Sequence, residues 1–255
     1  MKNIKPIVLA LILLASLTAL VAIGPIPQNL DYHNFADKRL LLNIPNFWDV
    51  LSNLAFLAVG CFAVWTGVQN WSKRPDLTAK LIPVVLSLGM VIVCFGSAYY
   101  HWSPNNQTLV WDRIPMTLIF MPLFSLIVYD FLGKKIGTAV FWLSVPLGIA
   151  SVLYWQFTET IGQGDLRPYF FVQFFPMVVV PLILWLYPKK TLYVRYIVLL
   201  LLCYVLAKVC EHFDDAIFEY LQFWSGHTLK HFLSAVSLFY ALKLVIAWDR
   251  EITSS

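Results

Sequence analysis

Eight runs of mostly apolar residues, each near the roughly 20 residues a helix needs to cross a bilayer, follow one another near 6–24, 47–69, 81–101, 113–132, 136–157, 168–187, 192–213 and 227–247. In hydrocarbon a helix satisfies every backbone N–H and C=O within its own segment, so such runs are expected to fold as a bundle of spanning helices. The connections are shorter than roughly 25 residues, below the size of an independent domain. Composition agrees, with 60% hydrophobic and 13% charged residues, against about 45–50% and about 25% in a soluble domain. The expected class is all-α and integral to a membrane. A net charge of +4 scattered over short loops speaks to topology, not to nucleic acid. Cys61, Cys94, Cys203 and Cys210 sit inside apolar runs with no C-x-x-C pair and read as small buried hydrophobes. Pro83, Pro115, Pro122, Pro146, Pro176 and Pro181 fall inside runs, where membrane helices tolerate them.

Lys2 and Lys5 before the first run also fit the start of a secretory signal. The stretch is long for a signal core and no A-x-A site precedes Gly24-Pro25, so a retained first helix is expected. The N-terminus and every second loop carry Lys2, Lys5, Lys73, Arg74, Lys80, Lys134, Lys135, Lys189, Lys190 and Arg250, while the alternate loops carry Lys38, Arg39, Arg113 and Arg167. The bias places both termini in the cytoplasm. The short basic N-terminus and compact loops suggest a bacterial inner membrane. Asp49, Ser97, His101, Asp112, His227 and His231 then all fall near helix ends on the extracytoplasmic side, as one site requires.

His227-x-x-x-His231 puts two imidazoles on one helix face, and His101 supplies a third nitrogen. Three imidazoles suit a tetrahedral zinc with one position open for water, and also iron or nickel. A lone histidine in a membrane is more often a packing residue, but three at matching depth favour a metal. Asp112 is either an acid at the start of a helix, favoured by the dipole, or a general base. Ser97, one turn before His101, either bonds its own helix or faces the developing oxyanion. Asp49 with Ser52 and Asn53 either caps a helix or supports the site from behind. The acidic stretch Glu211–Glu219 is mostly a solvated helix end, with Asp215 as a supporting candidate. His33 and His212 have no i+4 histidine and stay outside. Lys208 in a late helix raises a retinal Schiff base, yet Glu211 and His212 at i+3 and i+4 favour a salt-bridged lysine. Two histidines one turn apart cannot flank one haem.

The ordered pattern Ser97-x3-His101-x10-Asp112, with Pro115-Met116 and then His227-x3-His231, resembles the alkaline ceramidase family. That family belongs to the CREST group of seven-helix membrane hydrolases, which also takes in adiponectin-receptor-like proteins. Asn46-Phe47-Trp48-Asp49-Val50-Leu51-Ser52-Asn53 is similar to the family's F-W-x-x-x-S-N opening, and Asp215-x-Ile217-Phe218 to a segment before its last helix. The resemblance covers about residues 30–247. It implies a seven-helix CREST-like core over 27–255 with 1–26 as an added transmembrane helix. It also implies zinc held by His101, His227 and His231, with Ser97 and Asp112 beside it. The implied reaction is hydrolysis of ceramide to a sphingoid base and a fatty acid. Eukaryotic members carry acids associated with calcium before and at the start of the first core helix. Asp31 is retained and Asp37 is nearby, but His33, Asn34 and Asn46 replace acids, which weakens the case for calcium. Leu229-Lys230 replaces an aromatic pair, and Arg113 replaces an acid after Asp112. These changes bear on substrate more than on metal.

The expected function is therefore zinc-dependent hydrolysis of a ceramide-like lipid amide. The alternatives are another lipid amide or ester as substrate, or a receptor-like or scaffold protein with a structural zinc. Transport predicts a pore open to both faces, which polar residues clustered at one face do not provide. Oligomeric state is not encoded in these patterns.

Overall fold

The computed structural model describes residues 4–189 and 192–254; Lys2 and Lys190 of the charge pattern lie outside the described residues. The helices are α1 (Ile4–Ala22), α2 (Phe47–Leu51), α3 (Leu54–Gln69), α4 (Leu77–Trp102), α5 (Asn106–Phe131), α6 (Lys134–Thr160), α7 (Arg167–Leu186), α8 (Leu192–His212), α9 (Asp214–Leu221) and α10 (Gly226–Ser254). Among the described residues there is no strand, only an isolated bridge between Leu41 and Ile44. Among the described residues, seven stretches are long and apolar enough to cross a membrane: α1, α2 with α3, α4, α5, α6, α7 and α10. The chain is thus all-α with the character of a multi-pass membrane protein. The remaining apolar run, near 192–213, is also a continuous helix, the 21-residue α8, and packs along α10.

Helix period explains the packing. On α4, Ala79, Ile82, Leu86, Met90 and Val93 recur every third or fourth residue and are buried, whereas Leu88, Ile92, Phe95 and Tyr99 on the other face are exposed. One stripe meets α3 and α5 while the opposite stripe stays apolar, as a lipid-facing surface does. The main core runs along α3, α4, α5, α8 and α10. The first helix is peripheral: none of α1 is buried, and it rests on α7. Arg167 Nη1 donates to the carbonyls of Leu20 at 3.1 Å and Ile23 at 2.5 Å, meeting the carbonyls at the end of α1. Asp165 grips the same guanidinium through both oxygens, each at 2.8 Å, and the Arg167 hydrogen bonds hold its carboxyl below the usual range.

Two helix boundaries differ from expectation and matter for the site. The run near 47–69 breaks at Ser52-Asn53, where Ser52 Oγ and Asn53 Nδ2 both donate to the Asp49 carbonyl, at 3.2 and 2.7 Å, competing with the helical ladder. The run expected from 113 begins at Asn106 instead, because Asn105 Oδ1 accepts from the N–H groups of Gln107 and Thr108 while Thr108 Oγ1 accepts from the Asn105 N–H. This capping box lies in polar sequence that an apolar window discards. Asp112 consequently does not open a helix; it sits in the second turn of α5, and the dipole account of it fails.

Chain direction alternates, so α4, α6 and α8 end, and α5, α7 and α10 begin, at one end of the bundle. That end holds the histidines. The opposite end gathers Arg74–Asp249 (2.8 Å), Lys134–Asp76 (3.1 Å) and Lys189–Asp130 (2.8 Å).

Candidate metal centre

His227 and His231 lie in the first two turns of α10, and His101 is the penultimate residue of α4. Their rings form a nearly equilateral triangle, with centroids 4.8, 4.9 and 5.0 Å apart. They are 0%, 3% and 2% exposed in chain order, and one ring nitrogen from each lies within 4.8 Å of the others. Three imidazoles grouped in this way can turn toward one ion. The donor chemistry fits a metal. Both ring nitrogens of His101 are buried without a hydrogen-bond partner, a condition that costs ~1–3 kcal/mol per group and that coordination relieves. His231 Nδ1 lies 2.7 Å from Ser52 Oγ. With Ser52 donating to the Asp49 carbonyl, its oxygen accepts the Nδ1 proton and leaves the Nε2 lone pair free for an ion, the usual way an outer partner fixes a ligand. His227 Nε2 is 3.1 Å from Lys230 Nζ, so this ligand meets a lysine that the histidine spacing did not announce.

Ser97 on α4 and Asp112 on α5 are both buried and neighbour each other across the helix pair. Both line an apolar cavity of about 210 Å³ that also reaches His231. Phe120, Phe124, Phe174, Val180, Leu201 and Leu238 continue its wall into the bundle. Gly96 makes the α4–α5 approach possible: a Cβ there would stand 1.9 Å from the Trp111 carbonyl oxygen. Gly96→Ala must therefore push apart the two helices that carry Ser97, His101 and Asp112. A loss of about 1–3 kcal/mol, the scale of core overpacking, is expected as a lower melting temperature in detergent. Gly67→Ala, where a Cβ meets nothing within 4 Å, is the matched control; equal melting of the two variants would refute the close-approach argument.

The supporting residues divide clearly. Asp49 is buried and accepts from Thr228 Oγ1 at 2.6 Å, tying α2 to the first turn of α10 between the two histidines. Asn53 stays on its own helix break, where its Nδ2 donates to the carbonyls of Asp49 and Val50. Asp215 is exposed; the contact expected of it is made by Asp214, whose oxygens accept from the backbone N–H groups of His227 (2.6 Å) and Ala36 (3.0 Å). Gly226 permits that contact, since a Cβ there would lie 2.2 Å from the Cys210 carbonyl oxygen and 2.8 Å from Asp214 Cα.

The calcium candidates have different surroundings. Asp37 is engaged by Arg39 through both oxygens at 2.7 Å, and Asp31 is exposed. Among the described residues, the histidine trio is the grouping of three His, Cys, Asp or Glu side chains able to hold an ion. His33 bonds Tyr100 and Asn106 and His212 is exposed, so both stay outside. Lys208 pairs with Glu211 at 2.6 Å, as a salt-bridged lysine should.

Sequence reasoning missed Phe35. It is buried, with its ring 4.7 Å from His101 and 4.5 Å from His227, and it covers two of the three rings from the segment before α2. Asn46 Nδ2 donates to the His101 carbonyl at 2.8 Å from the same segment, with its own backbone in the left-handed region at φ 46°, which asparagine tolerates better than most residues. No protein-family model and no curated protein sequence matches this chain, so the function of the site is read from its geometry.

Proposed function

We propose that this chain is a zinc-dependent intramembrane amidase of the alkaline ceramidase type, acting on ceramide-like lipids. The observation that carries the reading is the meeting of three buried imidazoles, a Ser97–Asp112 pair and an apolar cavity at one end of a helical bundle. On this reading α2 with α3, α4, α5, α6, α7, α8 and α10 are the seven spans of the CREST-like core, and α1 is an addition. The basic end of the bundle faces the cytoplasm and the histidine end faces out of it.

Zinc, when bound, supplies Lewis acidity, making water a nucleophile near neutral pH and polarising a carbonyl. The residues do the rest. The cavity holds the acyl chain and excludes bulk water, which strengthens every charge interaction near the scissile amide. Asp112 takes the proton from the attacking water and returns it to the departing amine nitrogen, so the base of the first step is the acid of the second. The Ser97 hydroxyl donates to the oxygen on which negative charge develops. Ser52 and Asp49 keep His231 and the first turn of α10 in place.

The direct test is fatty-acid release from ceramide by the purified protein in detergent. Release should vanish after chelation and return with added zinc. Persistence in chelator would exclude the metal mechanism, and no release from ceramide or from other lipid amides and esters would remove the hydrolase reading.

A further inference from the structure

The cavity wall beside Ser97 and Asp112 is strongly basic for a site buried in a membrane protein. Arg113, Lys208 and Lys230 all line it, and Asp112 is the carboxylate that shares the wall. Glu211 pairs with both lysines, at 2.6 Å to Lys208 and 2.7 Å to Lys230, so one carboxylate answers two ammonium groups. Three cations thus face two carboxylates, before any metal charge is added.

Arg113 is the least compensated. It is 5% exposed, and no carboxylate bonds its guanidinium among the described residues. Its contacts are aromatic: Trp155 at 4.3 Å, Tyr169 at 4.8 Å and Tyr32 at 5.8 Å from the guanidinium carbon. Nη2 donates to Gln28 Oε1 at 2.6 Å, and Nη1 has no acceptor. A guanidinium carries five N–H donors in a fixed plane. Stacking holds that plane and leaves hydrogen-bonding capacity at its edge, the arrangement suited to a carboxylate or phosphate. Retaining such a charge away from water is costly unless something answers it, and a neutral lipid head group does not.

We infer that the lipid accepted by this cavity carries an anionic head group, a carboxylate, phosphate or sulfonate, which docks against Arg113 with Lys230 and Lys208 nearby while the acyl chain occupies the apolar wall. The inference narrows the ceramide-like class proposed for the same site to lipid amides with an anionic head group, ceramide itself being neutral, and it rests on the amidase reading only for which bond of that lipid is cut.

The test compares N-palmitoylglycine with N-palmitoylethanolamine. The two share chain and amide and differ in a carboxylate against a hydroxyl. Equilibrium binding to the purified wild-type chain in detergent at low salt should favour the glycine conjugate by about tenfold or more, the scale of one charge-assisted hydrogen bond. Arg113→Gln should erase most of that preference and Arg113→Lys should keep part of it. Equal affinity of the two probes for the wild type overturns the inference without needing any variant to fold. Palmitate binding as tightly as N-palmitoylglycine also overturns it, because the cations would then be reading a released fatty acid. Fatty-acid release is measured on the same samples. Selective binding of the anionic probe without release leaves the head-group site standing and removes the amidase reading. Release from both probes without preference does the reverse.

Discussion

The His227→Ala/His231→Ala double variant is expected to purify with no bound metal, and the wild type with about one zinc per chain. The two side chains contribute two of the three imidazoles that meet within 4.8 Å, and a single remaining nitrogen from His101 cannot hold an ion against water and buffer. The bundle should survive the change. The first turn of α10 is also fastened by Thr228 to Asp49 at 2.6 Å and by Asp214 to the His227 backbone at 2.6 Å, neither of which uses an imidazole. The far end of α10 is pinned by Asp249 to Arg74 at 2.8 Å. Helical circular dichroism should therefore be retained while metal content falls from one to none. Equal metal in both proteins would place the ion elsewhere. Absence of metal from a wild type purified without chelator and offered zinc would dismantle the centre. The same experiment separates zinc from iron or nickel, which three imidazoles alone do not.

The result would also test how far residue spacing reaches. The i, i+4 pair was legible because helix geometry alone places positions 227 and 231 on one face, and the depth of His101 followed from counting residues into an apolar run. The membrane class was legible for the same reason: run length is a one-dimensional property. What escaped was whatever depends on chain segments crossing. Phe35, which covers two of the rings, lies in a segment with no period to read. Asp215 and Asp214 are equivalent in sequence, and only the turn of α9 against α10 decides that Asp214 reaches the His227 backbone. Ser52, read as part of a polar patch with Asp49 and Asn53, is the member of that patch whose side chain meets a ligand, since the break between α2 and α3 turns it inward. Arg113 and Lys230 were visible as departures from a family pattern, yet their sharing of one cavity wall is a consequence of how α5 and α10 pack. The start of α5 was missed because its cap, Asn105 with Thr108, is polar and precedes the apolar window.

That last displacement sharpens the other large prediction. Were Asp112 an acid at the opening of α5, its replacement by asparagine would cost a few tenths of a kcal/mol to about 1 kcal/mol of helix stability and little else. In the second turn of the helix, 7% exposed and beside Ser97, it has no such role. Asp112→Asn keeps the shape of the side chain and an oxygen able to accept from Ser97, and it leaves all three imidazoles in place. It cannot take up a proton. Metal content should accordingly match the wild type, while turnover falls by about 10²–10⁴-fold, the range set by loss of a positioned general base. The paired measurement is what decides. Lost turnover with lost metal would make Asp112 a residue that positions the ion. Retained metal with retained turnover would reduce the Ser97–Asp112 pair to a polar contact that joins α4 to α5. Only retained metal with lost turnover fits a carboxylate that moves the proton between water and the leaving nitrogen.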